Sequence, residues 1–188
     1  MRLKTFLLLV FISQYLTAQI PSDFFFAKEY SKELTLYKAK AFVINEIIKD
    51  QTSIVKFEVD PLAAASSGEL TTLVYKCDEK KLEGMVLGFY GVYWNNYGVV
   101  YQGYAFKNLP RNEAQSLMDK ISSVIEDNKD YLKDNPDNNN IYFTFDDLTV
   151  LVYYIADTKI RLFWRDFDAD WNITAFTRTS KRFEKKLR

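Results

Sequence analysis

The chain has 188 residues with 25 basic and 25 acidic side chains, a single cysteine and no histidine. The lack of histidine excludes Ser–His and Cys–His dyads and histidine metal ligands, and the balanced charge argues against a dedicated binder of nucleic acid. One cysteine cannot form an intrachain disulfide, and Cys77 follows an apolar alternation that predicts a small buried side chain. The glycines lack the spacing of a nucleotide-binding loop, so the sequence predicts no cofactor.

Residues 1–18 have the pattern of a signal peptide. A positive start precedes the apolar run 6–12, and residues 16–18 are typical of cleavage before Gln19. The run is too short to span a bilayer, so we expect an exported protein, periplasmic or secreted, without a membrane span. Removing this segment changes 25 basic against 25 acidic residues to 23 against 25, a net charge of −2. The remainder, 19–188, is predicted to be a single α+β domain.

The first predicted element is a helix over residues 31–49. Apolar side chains recur there at intervals of three and four residues, which places them on one helix face. The segment is also rich in residues that favour β structure, so a strand remains possible. The side chains that set the spacing are Leu34, Tyr37, Ala41, Ile44 and Ile48.

Two strands are predicted next, over residues 53–59 and 70–77. The first alternates apolar and charged side chains, as a half-buried strand does. Asp60 and Pro61 are expected to end it. The small residues 61–68 then predict a plain connecting loop, although a mobile flap over a neighbouring face has the same composition.

Residues 83–109 predict a long β-hairpin around which the other elements are arranged. Asn95 and Asn96 tolerate a positive φ and predict a two-residue type I′ turn. Both faces of the hairpin are apolar, so we expect it to lie centrally in a sheet. The expected register pairs Trp94 with Tyr97, Tyr90 with Tyr101, and Gly88 with Gly103.

Five of the six glycines fall in this hairpin, which suggests an unfilled strip of backbone. Gly88 facing Gly103, beside the pair Tyr90 and Tyr101, would form an aromatic groove for a flat or apolar ligand. Alternatively, aromatic rings from a covering helix fill the gap. The second interpretation needs no ligand and is preferred.

A second helix is predicted over residues 110–127, because Pro110 suits a first helical turn and the apolar residues follow a helical period. Its apolar stripe is expected to cover one face of the hairpin. After a solvated loop, three strands are predicted over 141–145, 148–156 and 159–167. The middle one is apolar on both faces and therefore central, and the last lies nearer an edge.

The final segment, 170–188, is predicted to be a helix with Asp168 or Asp170 as its N-cap. Asp166 joins these two in a D-F-D-A-D run that resembles the opening of a calcium loop. The required Gly and Glu are missing, so no metal site is predicted. The basic half of the helix could bind an acidic protein partner, although cations also stabilise a helix C-terminus by themselves. The proposed partner-binding residues are Arg178, Lys181, Arg182 and Lys185.

The sequence therefore predicts an α+β fold: one mostly antiparallel sheet of about seven strands with two or three helices packed on it. The leading functional hypothesis is an exported, non-enzymatic module that binds a small molecule, sugar or peptide. Its expected contacts are the rings of Tyr90, Trp94, Tyr97 and Tyr101. One alternative is a structural protein that docks an acidic partner. The other is a hydrolase that uses paired carboxylates, with candidates Glu58, Asp60, Glu69, Asp146, Asp147 and Asp166.

Overall fold

The computed structural model describes residues 21, 23–65, 67–95, 97–136 and 138–187, so the predicted signal peptide lies outside the described residues. The α+β class is confirmed, but the prediction of one sheet of about seven strands was wrong. The described residues form two antiparallel sheets, of five and four strands, with four α-helices. In chain order they are β1 Phe24–Phe26, α1 Lys32–Phe42, β2 Glu58–Ala64, β3 Leu70–Cys77, β4 Leu82–Trp94, β5 Val100–Pro110, α2 Arg111–Asp127, α3 Lys129–Asp134, β6 Asn140–Phe145, β7 Leu148–Ile155, β8 Asp157–Trp164, β9 Phe167–Asp170 and α4 Ile173–Lys186.

The five-stranded sheet has the order β1-β5-β4-β3-β2. β1 was not predicted, and it can pair with β5 because Gly103 has no side chain there. A Cβ at Gly103 would overlap the carbonyl oxygen of Phe25. At the other edge, β2 continues through Pro61, where a strand end was predicted. An edge strand tolerates proline, and the register shifts between Pro61 and Ala63.

The hairpin of β4 and β5 exists, but its predicted register was wrong. Its turn is longer than two residues: the Gly98 amide donates to the Asn95 carbonyl at 2.9 Å, and Gly98 has a φ of +76°. The longer turn moves β5 by three residues relative to β4, which reverses the faces that its side chains occupy. The observed pairs include Trp94 with Val100, Tyr90 with Tyr104, and Gly91 with Gly103.

One face of this sheet is covered by α1 and by the π-helical turn Val43–Ile48 that follows it. Ala39, Phe42 and Val43 are buried against the sheet. The space above Gly88 is filled, since a Cβ there would lie 2.9 Å from the Phe106 ring. That ring belongs to β5, so the strand itself closes the gap that was assigned to a helix.

The other face packs against the four-stranded sheet, of order β6-β7-β8-β9, and against α2 and α4. The Phe89 ring lies 5.2 Å from Trp164 and 6.2 Å from Phe167, centroid to centroid. β7 is internal, as predicted. β8, which was predicted to lie nearer an edge, is the third of the four strands, and the short edge strand β9 pairs with its second half, Arg161–Trp164.

The C-terminal helix begins later than predicted. Asp168 and Asp170 lie in β9, and the N-cap is Asn172, whose Oδ1 accepts the Ala175 amide at 2.9 Å. Within the described residues, no helix has the length and apolar character needed to cross a membrane.

Candidate ligand-binding cleft

The four aromatic residues predicted to bind a ligand do not line one groove. Trp94 and Tyr97 lie at the end of the β4–β5 hairpin and are 57% and 61% exposed. Tyr90 is half-buried on the α1 side, with its ring 4.9 Å from Tyr104. Tyr101 lies on the opposite face, 5.4 Å from Phe26. Ligand binding by these rings stays a prediction.

A different concave site lies between α1, β2 and α4. Its main part has a volume of about 470 Å³ and a largely apolar lining that includes Leu36, Pro61, Leu62 and Leu73. An adjoining pocket of about 350 Å³ extends to Gly68. We call the two together the arginine cleft, and the residues that line both parts are Tyr30, Lys32, Ala63, Ala64 and Arg182. Each volume is within the range of small-molecule sites.

The cleft exists because β2 has small side chains where α4 crosses it. Ala63 and Ala64 leave space that a larger residue would fill. The position of α4 is set by a buried hydrogen bond of 2.7 Å between the hydroxyl groups of Thr72 and Thr179. Phe183, one helical turn further along, is also buried. With this side of α4 facing the core, Arg178 and Arg182, four residues apart, lie along the cleft.

The rim of the cleft is positively charged. Lys32, Arg178 and Arg182 contribute three cations and Glu33 one anion, a net charge of +2. The Arg182 guanidinium donates through Nη1 to the carbonyl oxygen of Leu62. Among the described residues, none of the three cations forms a salt bridge. The rim therefore has positive charge without an internal carboxylate partner.

A second cleft, of about 440 Å³, lies beside the C-terminal half of β5 and is lined by Lys107, Asp147 and Trp164, among others. We call Lys107, Asp146, Asp147 and Trp164 the lysine cluster. Lys107 is only 7% exposed; its Nζ lies 2.9 Å from Asp146 Oδ2 and also pairs with Asp147. The Trp164 indole donates to Asp147 Oδ2 at 2.8 Å. Every charged group of this cluster has an internal partner.

The pKa values of the cluster reflect that pairing. Burial by itself would lower the pKa of Lys107, but hydrogen bonds to Asp147 and Asp146 outweigh it and raise the pKa. Burial would likewise raise the pKa of Asp147, but the bonds from Lys107 and Trp164 hold it below its usual value. Both groups are therefore kept charged.

This pairing does not suit the hydrolase interpretation, which needs one carboxyl group with a raised pKa. Asp170 has a raised pKa, caused first by burial and further by Glu69. Its amide donates to Glu69 Oε2 at 3.2 Å, but neither residue lines either of the two clefts. In the described part of the chain, no group of three or more Asp, Glu or Cys side chains is placed to hold a metal ion.

Comparison with models of protein families, with curated proteins and with solved structures found no match.

The sequence predicted Arg178 and Arg182 as contacts for an acidic protein partner, and the structure places both at the arginine cleft. Tyr30, Lys32 and the small residues of β2 were not predicted as part of a site. The run of small residues at 61–68 was the available signal, since it breaks an otherwise bulky, aromatic-rich chain. It was interpreted as a loop. Part of it is the strand that forms the floor of the cleft.

Proposed function

We propose that this protein is an exported, non-enzymatic binding module whose arginine cleft takes an amphipathic small molecule with an apolar body and one anionic headgroup. The observation that carries the proposal is the rim itself. Lys32, Arg178 and Arg182 surround an apolar cleft and, within the described residues, have no carboxylate partner.

The two halves of such a ligand match the two parts of the cleft. The apolar lining around Leu36, Ala63 and Ala64 buries an apolar chain or ring. A guanidinium presents its donors in a planar fork that pairs with a carboxylate or sulfonate. The bond from Arg182 to the Leu62 carbonyl holds that side chain in position before a ligand arrives, which lowers the entropic cost of binding. Glu33 repels a second anionic group, so a single headgroup fits better than a polyanion.

The test uses dodecanoate and dodecanol, which share a chain length and differ in the charge of the headgroup, with affinity measured by isothermal titration calorimetry. We expect dodecanoate to bind more tightly. Arg178→Gln should weaken dodecanoate binding about threefold to tenfold, because Arg178 is at the exposed rim, and should leave dodecanol binding unchanged. Ala64→Leu fills the floor and should weaken both ligands.

Lys185→Gln is the matched control, because it removes one charge from the same helix outside the lining of the cleft. Equal losses in Arg178→Gln and Lys185→Gln would mean a general charge effect and would contradict the proposed site. Absence of dodecanoate binding to the unmodified protein would contradict it directly.

A second candidate function remains the docking of an acidic protein partner on α4. Lys181 and Lys185 are exposed and form no salt bridge within the described residues. Deleting the helix is a poor test, since Phe183 and Leu187 are buried in the core. The double variant Lys181→Gln/Lys185→Gln keeps those contacts, and it should abolish salt-sensitive capture of such a partner.

A further inference from the structure

The end of the β4–β5 hairpin extends beyond its sheet. β3 pairs with β4 as far as Phe89, and β1 pairs with β5 only from Gly103 onward. Beyond Tyr90 and Gln102, which still bond to Glu69 and Ala27, the two strands pair with each other alone. We call residues 92–95 and 97–101 the hairpin arm.

The arm exposes apolar side chains on one face and at its turn, while Tyr93 on its other face packs against Phe24 and Phe167. Val92, Trp94 and Val100 share one face and are between 41% and 57% exposed. Tyr97 and Val99, at the turn, are 61% and 45% exposed. Phe26 of β1, 55% exposed, continues the apolar surface beside Tyr101.

The arm also has no formal charge, and the amides of Asn95, Tyr97, Gly98 and Val99 are bonded within its turn. No charged residue occurs between Glu83 and Lys107. The Asn95 side chain accepts the amides of Tyr97 and Val99 at 3.0 and 2.9 Å. The Asn95 amide donates to the Val99 carbonyl at 3.1 Å. Paired amides lower the cost of placing a turn at an apolar surface, where water is scarce.

We propose that the hairpin arm docks this protein on a lipid surface. A lipid interface accepts an uncharged apolar tip that carries tryptophan and tyrosine, without a partner surface of matching shape. Tryptophan and tyrosine favour the membrane–water interface, where the ring is buried and the polar atom stays hydrated. Lys28, next to the arm at Val100, forms no salt bridge within the described residues and adds attraction to anionic lipid.

This docking surface is separate from the arginine cleft, and the inference does not depend on the ligand proposed there.

The experiment mixes the purified protein with phosphatidylcholine vesicles, with and without phosphatidylglycerol, and follows tryptophan emission and co-sedimentation. Trp164 and Trp171 are 3% and 1% exposed, so a change in emission reports on Trp94. We expect a blue shift and quenching by brominated lipid. The double variant Trp94→Ser/Tyr97→Ser should lower co-sedimentation about tenfold or more. Lys28→Gln should remove only the increment that phosphatidylglycerol adds.

Tyr142→Ser is the matched control, because Tyr142 is 73% exposed on β6, in the other sheet. It should leave vesicle binding unchanged, and the single variant Tyr97→Ser serves if the double variant fails to fold. Absence of binding to both vesicle types, or equal loss in Tyr142→Ser, would overturn the proposal. Self-association that the arm variants abolish, without vesicle binding, would assign the arm to a second copy and also overturn it.

Discussion

The lysine cluster and the arginine cleft arrange the same kind of charge in opposite ways. The lysine cluster lies at a cleft of about 440 Å³, and the main part of the arginine cleft has a similar volume of about 470 Å³. Lys107 is buried and paired with two aspartates, one of which also accepts the Trp164 indole. Arg178 is exposed and has no acidic partner among the described residues. A cation whose charge is met within the chain stabilises the fold, whereas one left unpaired is available to an anion from outside.

The largest expected effect on the free energy of unfolding follows from removing the buried cation, Lys107. Lys107→Met keeps the length of the side chain but leaves Asp146 and Asp147 without their partner. We expect a loss of about 2 kcal/mol in the free energy of unfolding, measured with urea. The loss is below that of a fully buried pair, because the two carboxylates are 69% and 54% exposed and water can solvate them. A loss below about 0.5 kcal/mol would mean that the cation of the lysine cluster, like the unpaired Arg178 of the arginine cleft, contributes little to stability.

Arg182 has an internal hydrogen bond but no acidic partner among the described residues, so its removal should have an intermediate effect on the free energy of unfolding. Arg182→Met loses the hydrogen bond to the Leu62 carbonyl that helps to hold α4 on β2. We expect a loss of about 1 kcal/mol in the free energy of unfolding. Lys181→Met is the control, since Lys181 is exposed on the same helix. Equal effects of the two variants would show that the Leu62 bond contributes nothing.

The pairing of Lys107 with Asp147 should also appear in the pH dependence of stability. The pKa of Asp147 is lowered from about 3.8, so its contribution is present above that pH and is lost as pH falls through the folded-state pKa. The pKa of Lys107 is raised from about 10.5, so its contribution is present below that pH and is lost as pH rises through the folded-state pKa. We compare the free energy of unfolding of the unmodified protein with that of Lys107→Met. After solvent screening, we expect the difference between them to shrink by about 1 kcal/mol or less from pH 7 to pH 2.5. A difference that stays constant would exclude the ion pair as its cause.

The smallest expected effect on stability is that of Arg178→Gln, which should change the free energy of unfolding by less than about 0.5 kcal/mol. No internal hydrogen bond or salt bridge of Arg178 exists within the described residues. Thermal unfolding without ligand measures this, and the same variant should lose dodecanoate affinity. A clear loss of stability would mean that the cleft, too, is structural.

Several elements were predictable because their signals are local. Helix α2, predicted over 110–127, is observed over Arg111–Asp127, since a proline start and a helical apolar period occur together there. β3 has the predicted bounds, Leu70–Cys77. By contrast, β1 and β9 span three and four residues, which is too few to show a period.

The hairpin register shows where local reasoning fails. Asn95 and Asn96 suit a two-residue turn, but the Asn95 side chain bonds to the amides of Tyr97 and Val99, and Gly98 takes the left-handed position. Two turns of different length thus compete on the same residues, with small differences in energy. The packing of both faces of β5 depends on which turn forms, because a shift by an odd number of residues exchanges the faces.

By itself, the sequence determined that this chain forms amphipathic helices and antiparallel strands, and that Arg178 and Arg182 share a helix face. Hydrogen bonding between near neighbours and the periods of helix and strand encode those features locally. Only the tertiary structure decided that β2 continues past Pro61, that α4 crosses its small residues, and that Lys107 meets Asp147 forty residues away. Such contacts depend on which apolar faces bury one another, and residues distant in sequence set that choice together.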